Sequence, residues 1–156
     1  MIEFRRLFYG IGKTKAYAAV GRALAPVDRV LLRVSGGKVG LGSALGVRTL
    51  LLTTVGRHSG LTRQVPLVFV RHGKGFLVVG SNWGGGQHPA WTANLLADAN
   101  ATVATNGRST PVRGRLLDGD ERERAWREMV AYWPAYDTYA TRASRREIRV
   151  FLLEPR

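Results

Sequence analysis

Cysteine is absent from this 156-residue chain. Disulfides, thiolate catalysis and thiolate metal sites are excluded with it, and the absence suits a reducing compartment. Also missing is any apolar run near the eighteen or so residues that a membrane span needs, and no signal-like apolar stretch follows a basic start. A cytoplasmic address is the expectation. Histidine is scarce, and His58, His72 and His88 form no i, i+4 pair, so no metal site is expected. Acidic residues number 11 against 24 lysines and arginines, for a formal charge of +13. They concentrate in the segment after Asp118, where a solvated helix face is the ordinary explanation and paired-carboxylate chemistry finds little support.

Between Asp28 and Asp98 there is no acidic residue at all, while Arg29, Arg33, Lys38, Arg48, Arg57, Arg63, Arg71 and Lys74 fall in that interval. A ligand of this half is therefore expected to carry phosphate or carboxylate groups. Nucleic acid, anionic lipid and a phosphorylated cofactor all answer that description.

The length fits one domain able to bury roughly two thirds of its unfolded surface. Residues 3–33 read as helix, with Phe4, Leu7, Phe8 and Ile11 on one face and basic residues on the others, and Pro26 is expected to divide it. The glycine-rich stretch 35–46 reads as a linker or flap, so residues 1–46 form an N-terminal basic amphipathic arm and residues 47–156 the core domain. Six strands are expected in that core, over 47–54, 64–70, 76–80, 101–105, 111–117 and 148–153, with Asn106-Gly107 as a hairpin turn. Two helices interrupt them, one from Pro89 to about Ala97 and one from Asp120 to about Tyr132, where Asp120 and Glu123 have capping-box spacing. The fold class is α+β, mainly antiparallel β, a barrel with flanking helices.

Several familiar motifs fail on spacing. Gly10-Ile11-Gly12-Lys13-Thr14 lacks the first glycine and preceding strand of a phosphate-binding loop, and Gly40, Gly42 and Gly46 miss the dinucleotide-binding pattern. Ser81 in Gly80-Ser81-Asn82-Trp83-Gly84 lacks the spacing of a hydrolase nucleophile elbow. What remains is chemically suggestive. The run Thr53 to Arg63 is a strand end followed by a loop with two arginines, hydroxyls and two glycines, a combination suited to oxyanions. A second glycine-rich loop runs from Gly80 to a helix start at Pro89-Ala90-Trp91. A third cluster, Tyr132, Trp133, Tyr136 and Tyr139, suggests the wall of an aromatic-lined pocket as well as ordinary core.

These clusters, in this order, resemble the deazaflavin (coenzyme F420)-dependent nitroreductase and quinone reductase family, over about residues 50–155. The most specific pieces are TTVGRHSGLTRQVPL, HPAWTANL and the terminal VFLLEP. The resemblance implies a split β-barrel related to flavin mononucleotide (FMN) oxidases, and an oxidoreductase that moves a hydride from reduced deazaflavin to a quinone or a nitro- or enone-type acceptor. It places Arg57, His58, Ser59, Gly60 and Arg63 around the coenzyme's phosphate and acidic oligoglutamate tail, and Pro66 against the ring system. Ser81 and Asn82 would lie by the ring, with Ser81 the candidate catalytic residue, and Trp91 and Asn94 would support that wall. Val68, Trp133, Tyr136 and Tyr139 would face the acceptor. Val68 stands where some members carry a tyrosine, and Trp133 replaces another, so a quinone is favoured over bulky nitroaromatics. The basic N-terminal helix could touch an anionic membrane in which quinones dissolve, and a monomer or homodimer is expected.

Two rivals remain at this level. One is a barrel that holds FMN, haem or deazaflavin without turnover. The other is a nucleic-acid binder, suggested by charge and by aromatics available for stacking, although no recognition helix or RNA-binding strand pattern is present.

Overall fold

Thr14, rather than Pro26, decides where the first long helix begins. The computed structural model describes residues 10–156, so Phe4, Leu7 and Phe8 of the expected N-terminal face lie outside the described residues. Helix α1 runs unbroken over Lys15–Val34, and the Thr14 side chain caps it by accepting the Tyr17 N–H at 3.1 Å. The expected division at Pro26 does not occur. Pro26 is exposed, so water can satisfy the carbonyl that its missing N–H leaves free, and packing elsewhere along α1 outweighs the local cost. Leu32 at 0% exposure and Ala18 at 3% anchor the helix, which rests on the first, second and fifth strands.

Stretch 35–46 contains a short helix α2, Leu41–Ala44, and is pinned to the body of the protein. Asn106 N–H donates to the Gly37 carbonyl at 3.1 Å and Gly107 N–H to that of Gly36 at 2.8 Å. Gly37 is required here. Its φ is +82°, and a Cβ would come within 2.5 Å of the Ala104 backbone.

Among the described residues seven strands form a single antiparallel sheet: β1 Thr49–Val55, β2 Thr62–Val68, β3 Val70–His72, β4 Gly75–Val79, β5 Asn100–Thr105, β6 Arg108–Leu116 and β7 Val150–Pro155. Their order is β2-β1-β5-β6-β7-β4-β3. This corrects the expected six strands, because the run 64–70 is divided at Phe69. The division forces the architecture. β2 and β3 stand at opposite edges of the sheet with only Phe69 between them. Laid flat, seven strands spaced about 4.8 Å apart would separate the edges by roughly 29 Å, far beyond the reach of one residue. The sheet must therefore curl until its edges face each other, giving a split barrel. Phe69 is the corner, 5% exposed, edge-on to Phe76 at 5.5 Å between ring centroids, with its N–H donating to the Arg48 carbonyl.

Strand alternation then divides the core in two. Phe76 and Val78 of β4, with Phe151 and Leu153 of β7, point into the barrel with Leu50, Leu52 and Trp91. Their neighbours Leu77, Val79, Val150 and Leu152 point outward and are covered by two helices, α4 Gly119–Tyr132 and α5 Ala135–Arg142. The N-cap of α4 is Asp118, not the expected Asp120, and its side chain makes no capping bond. Asp120 and Glu121 instead occupy the first turn, where they complement the helix dipole. Helix α3, Ala90–Ala97, packs against β1 and β6. The Asn106-Gly107 hairpin forms as expected, both residues with positive φ.

Candidate functional site

The turn after β1 is built on its glycines. Gly56 N–H donates to the Leu61 carbonyl and Gly60 N–H to the Gly56 carbonyl, each at 2.8 Å, and Gly60 takes φ +70°. A Cβ on Gly56 would meet the Ser59 hydroxyl at 2.7 Å. That hydroxyl accepts the Leu61 N–H at 3.2 Å and an Arg63 guanidinium N–H at 3.4 Å. From the opposite side Asn94, 4% exposed on α3, latches the turn. Its carbonyl oxygen accepts both the backbone N–H and the guanidinium of Arg57 at 3.2 Å, while its amide donates to the Thr54 hydroxyl at 3.3 Å.

Turn and helix enclose a cavity of about 370 Å³ lined by Arg57, His58, Ser59 and Arg63 on one side and by Trp91, Asn94, Pro89 and Ala90 on the other, with Gln64 and Val65 between. Among the described residues no carboxylate pairs with Arg57 or Arg63. The hollow thus joins a cationic rim rich in N–H donors to an apolar wall of Val65, Pro89 and Trp91. Such a surface suits a flat ring carrying an anionic extension.

Six of the expected residues converge here: Arg57, His58, Ser59, Arg63, Trp91 and Asn94. Gly60 shapes the turn without lining the cavity. Pro66 and Val68 lie farther along β2, half-buried and paired with Leu51 and Thr49, outside the cavity. Ser81 and Asn82 sit at the far end of the loop whose other end, Pro89 to Trp91, forms the wall. Asn82 and Trp83 both have left-handed backbone, φ 46° and 49°, a strained pair in non-glycine residues. Arg146 holds the loop in that shape, donating to the carbonyls of Gly80 at 3.2 Å, Ser81 at 2.8 Å and Gly85 at 3.0 Å, and to His88 Nδ1 at 3.2 Å. The Ser81 hydroxyl itself has no hydrogen-bond partner among the described residues.

The aromatic cluster lies elsewhere. Trp133, Tyr136 and Tyr139 are 5%, 5% and 3% exposed in the outer core beneath the start of α1. Tyr139 donates its hydroxyl to the Gly12 carbonyl at 2.7 Å, and Trp133 packs on Tyr17. Burial pushes the Tyr139 phenol up to about 12 and that of Tyr136 higher still.

The sequence matches the F420H(2)-dependent quinone reductase family over residues 27–155. The chain belongs to that family. A putative F420H(2)-dependent quinone reductase of Mycobacterium tuberculosis is 30% identical over 119 residues, covering 76% of this chain and 99% of the relative. The solved structure of an F420-H2 dependent reductase, FDR-A, is 36% identical, with a TM-score of 0.63 over 68% of this chain and 93% of that one. A second solved chain, described as a domain-swapped dimer, matches at 36% identity and a TM-score of 0.63, covering 68% of this chain and 79% of that one. An F420H(2)-dependent quinone reductase is an oxidoreductase with F420 as its cofactor.

The residues present fit that group. Arg57, Arg63 and the Gly56–Gly60 turn offer charge-assisted and backbone donors for phosphate, and among the described residues no carboxylate competes for them. The family's coenzyme also needs an apolar wall for its ring, which Trp91 and Val65 provide. Sequence reading gave no site role to Thr54, Gln64 and Val65, which line the cavity, and missed Arg146, the loop's main tie. Thr54, Gln64 and Val65 border the arginine-rich loop closely enough to have been found. Arg146 had no local signal, because it meets Ser81 across 65 positions.

Proposed function

We propose that this chain transfers a hydride from reduced F420 to a quinone, with the coenzyme's anionic end on the Arg57–Arg63 turn and its ring against Trp91 and Val65. One observation carries the reading: an arginine-glycine turn without carboxylate partners among the described residues opens directly onto an apolar-walled cavity. Bound reduced F420 supplies the hydride, so the protein need only bind, orient and exclude water. Arg57 and Arg63 grip the anion, Asn94 fixes Arg57, and Trp91 keeps the ring end dry. Nearby cations offset the negative charge that arrives on the acceptor oxygen. The unpartnered Ser81 hydroxyl orients the ring or polarises the reacting system, and Asn82 borders the same end. Pro66 and Val68 extend the ring-side surface along β2. Trp133, Tyr136 and Tyr139 can serve the acceptor only if the segment containing Gly12 and Tyr17 moves off them. In the same proposal residues 47–156 form the coenzyme barrel, and the described part of the N-terminal segment 1–46, from residue 10 on, is an arm laid across it.

Mixing the protein with reduced F420 and menadione without oxygen tests the reading. Turnover restores the visible absorbance of the oxidised coenzyme. A protein that binds reduced F420 and leaves it reduced is a carrier, and one that takes FMN in its place overturns the coenzyme assignment. Ser81→Ala should slow turnover more than it weakens binding, and equal activity removes the hydroxyl from the mechanism. Nitro and enone compounds belong in the same acceptor screen.

One further feature favours a membrane-surface setting. Val20, Leu24, Val27, Leu31 and Val34 recur at helical spacing along α1, between 36% and 83% exposed. No described helix is long and apolar enough to cross a membrane, but such a stripe on a chain of charge +13 suits the face of an anionic bilayer in which quinones dissolve. Sedimentation with phosphatidylglycerol vesicles, reduced by Val27→Glu, checks this, and a concentration-dependent dimer sensitive to the same change assigns the stripe to a second copy.

A further inference from the structure

Two arginines to which the proposed function gives no task meet at the strained corner of the loop between β4 and α3. Asn82 and Trp83 keep left-handed backbone there, Trp83 at φ 49° and ψ 30°. Residues other than glycine stay in that region only where their surroundings hold them. Arg146, in the segment between α5 and β7, supplies one hold. Its bonds to the loop go to three carbonyls and to His88 Nδ1, and it forms no ion pair among the described residues. Partial burial, then the charge of Arg149, lowers its pKa from the ordinary arginine value. A cation drawn out of water without a carboxylate costs stability, so what Arg146 contributes is shape. Its planar fork spans the loop from Gly80 to Gly85, which the single charged point of a lysine does not.

The second hold comes from α1. Arg22 donates to the Asn82 carbonyl at 3.3 Å, the same oxygen that accepts the Gly85 N–H at 2.8 Å, and its guanidinium carbon lies 5.6 Å from the Trp83 ring centroid. The helix meets that ring directly at Gly21, where a Cβ would stand 3.0 Å from Trp83 Cζ2. Arg22 is exposed, so these contacts add little to overall stability. What they set is the course of the loop. It leaves β4 at Gly80, turns at Asn82-Trp83, and ends in Pro89, Ala90 and Trp91, which line the coenzyme cavity. Ser81 stands one residue before the turn and gives its own carbonyl to Arg146 at 2.8 Å.

We infer that Arg22 and Arg146 are positioning residues for hydride transfer: they clamp the Asn82-Trp83 corner, and so fix Ser81 and the cavity wall relative to the arginine turn. This rests on the proposed function, because a misplaced wall slows turnover only if the coenzyme ring lies against it. Neither arginine lines the cavity, so each acts through the loop.

Turnover of reduced F420 with menadione and equilibrium binding of oxidised F420, measured on the same variants of the full chain, test it. Arg22→Gln should melt like the wild type and lower kcat about fivefold, and Arg146→Lys should lower it about tenfold or more, as small misplacements of reacting groups do. F420 affinity should change less than about twofold in both, because the turn that holds the anion is untouched. Arg22→Lys keeps a cation over Trp83 and a donor for Asn82, and should recover part of the loss. In isotope-labelled protein the indole N–H resonance of Trp83, identified by Trp83→Phe, should shift in Arg22→Gln and in Arg146→Lys. Should Arg146→Lys fail to fold, Arg22→Gln and its lysine counterpart decide alone. Unchanged kcat in folded variants of a wild type that turns over, or a Trp83 resonance that stays in place, overturns the clamp and leaves the proposed function standing. A fall in F420 affinity as large as the fall in kcat makes these binding residues and also overturns it. A wild type that leaves reduced F420 unoxidised overturns the proposed function and the clamp's role together.

Discussion

Asn94 is the residue on which the arginine turn depends most. It is buried, and it uses its carbonyl twice and its amide once to join Arg57 to Thr54. Asn94→Ala leaves a buried hydroxyl and a backbone N–H without partners, so it should cost about 1–3 kcal/mol of stability and also weaken F420 binding. Chemical denaturation and a coenzyme titration on one preparation check both, and Asn94→Asp should retain the acceptor for Arg57. Arg57 and Arg63 are exposed and make only neutral contacts within the protein. Replacing either by alanine should therefore spare stability and weaken F420 by roughly 1.5–3 kcal/mol. Equal affinity in both variants would remove the turn from the coenzyme site. These arginines were legible because the turn that presents them is local in sequence. Asn94 was legible only through the family resemblance, and its task as a latch followed only from the packing of α3 on β1.

At the scale of elements, the loop from Gly80 to Pro89 links two sites of unlike character, its strained Asn82-Trp83 corner and its Trp91 wall. Arg146 holds it through three carbonyls and through His88 Nδ1, which must be unprotonated to accept that bond. Partial burial, then the charges of Arg149 and Arg146, lower the His88 pKa from its ordinary 6.5. The unfolded chain therefore takes up this proton more readily than the folded one. The contribution of His88 to stability is complete above about pH 6.5 and declines as the pH falls through the lowered folded value. Thermal melts from about pH 8 to pH 5 should show the wild type losing stability more steeply than His88→Asn, and parallel curves would exclude this coupling. Helix starts and hairpins were read from local chemistry with fair success, as at Asn106-Gly107 and Pro89. Two expectations went the other way for one reason. Pro26 is accommodated, and Asp118 displaces Asp120 as the cap, because where a helix lies in the molecule outweighs a single residue's preference.

For the whole molecule the decisive event is closure of the sheet at Phe69. Phe69→Ala should cost about 3–5 kcal/mol, since it empties the corner that joins the two edge strands and removes the contact with Phe76. A urea titration measures it, and a loss under about 1 kcal/mol would show that closure does not depend on that side chain. Sequence alone determined most of the strands and the helices that start at Pro89 and near Asp120, though not the helices Leu41–Ala44 and Ala135–Arg142 or the break at Phe69, and it also determined where the positive charge lies and that a glycine-arginine turn follows the first strand. Each of these is fixed by residues within a few positions of one another, through alternation, turn chemistry or the absence of acids. Tertiary structure alone decided that β2 and β3 take opposite edges, that Arg22 and Arg146 reach the Ser81 loop, and that the tyrosines pack under α1 instead of lining the cavity. Those depend on which strands become neighbours once the barrel closes, and a choice made by register and packing across tens of residues leaves no mark in local pattern.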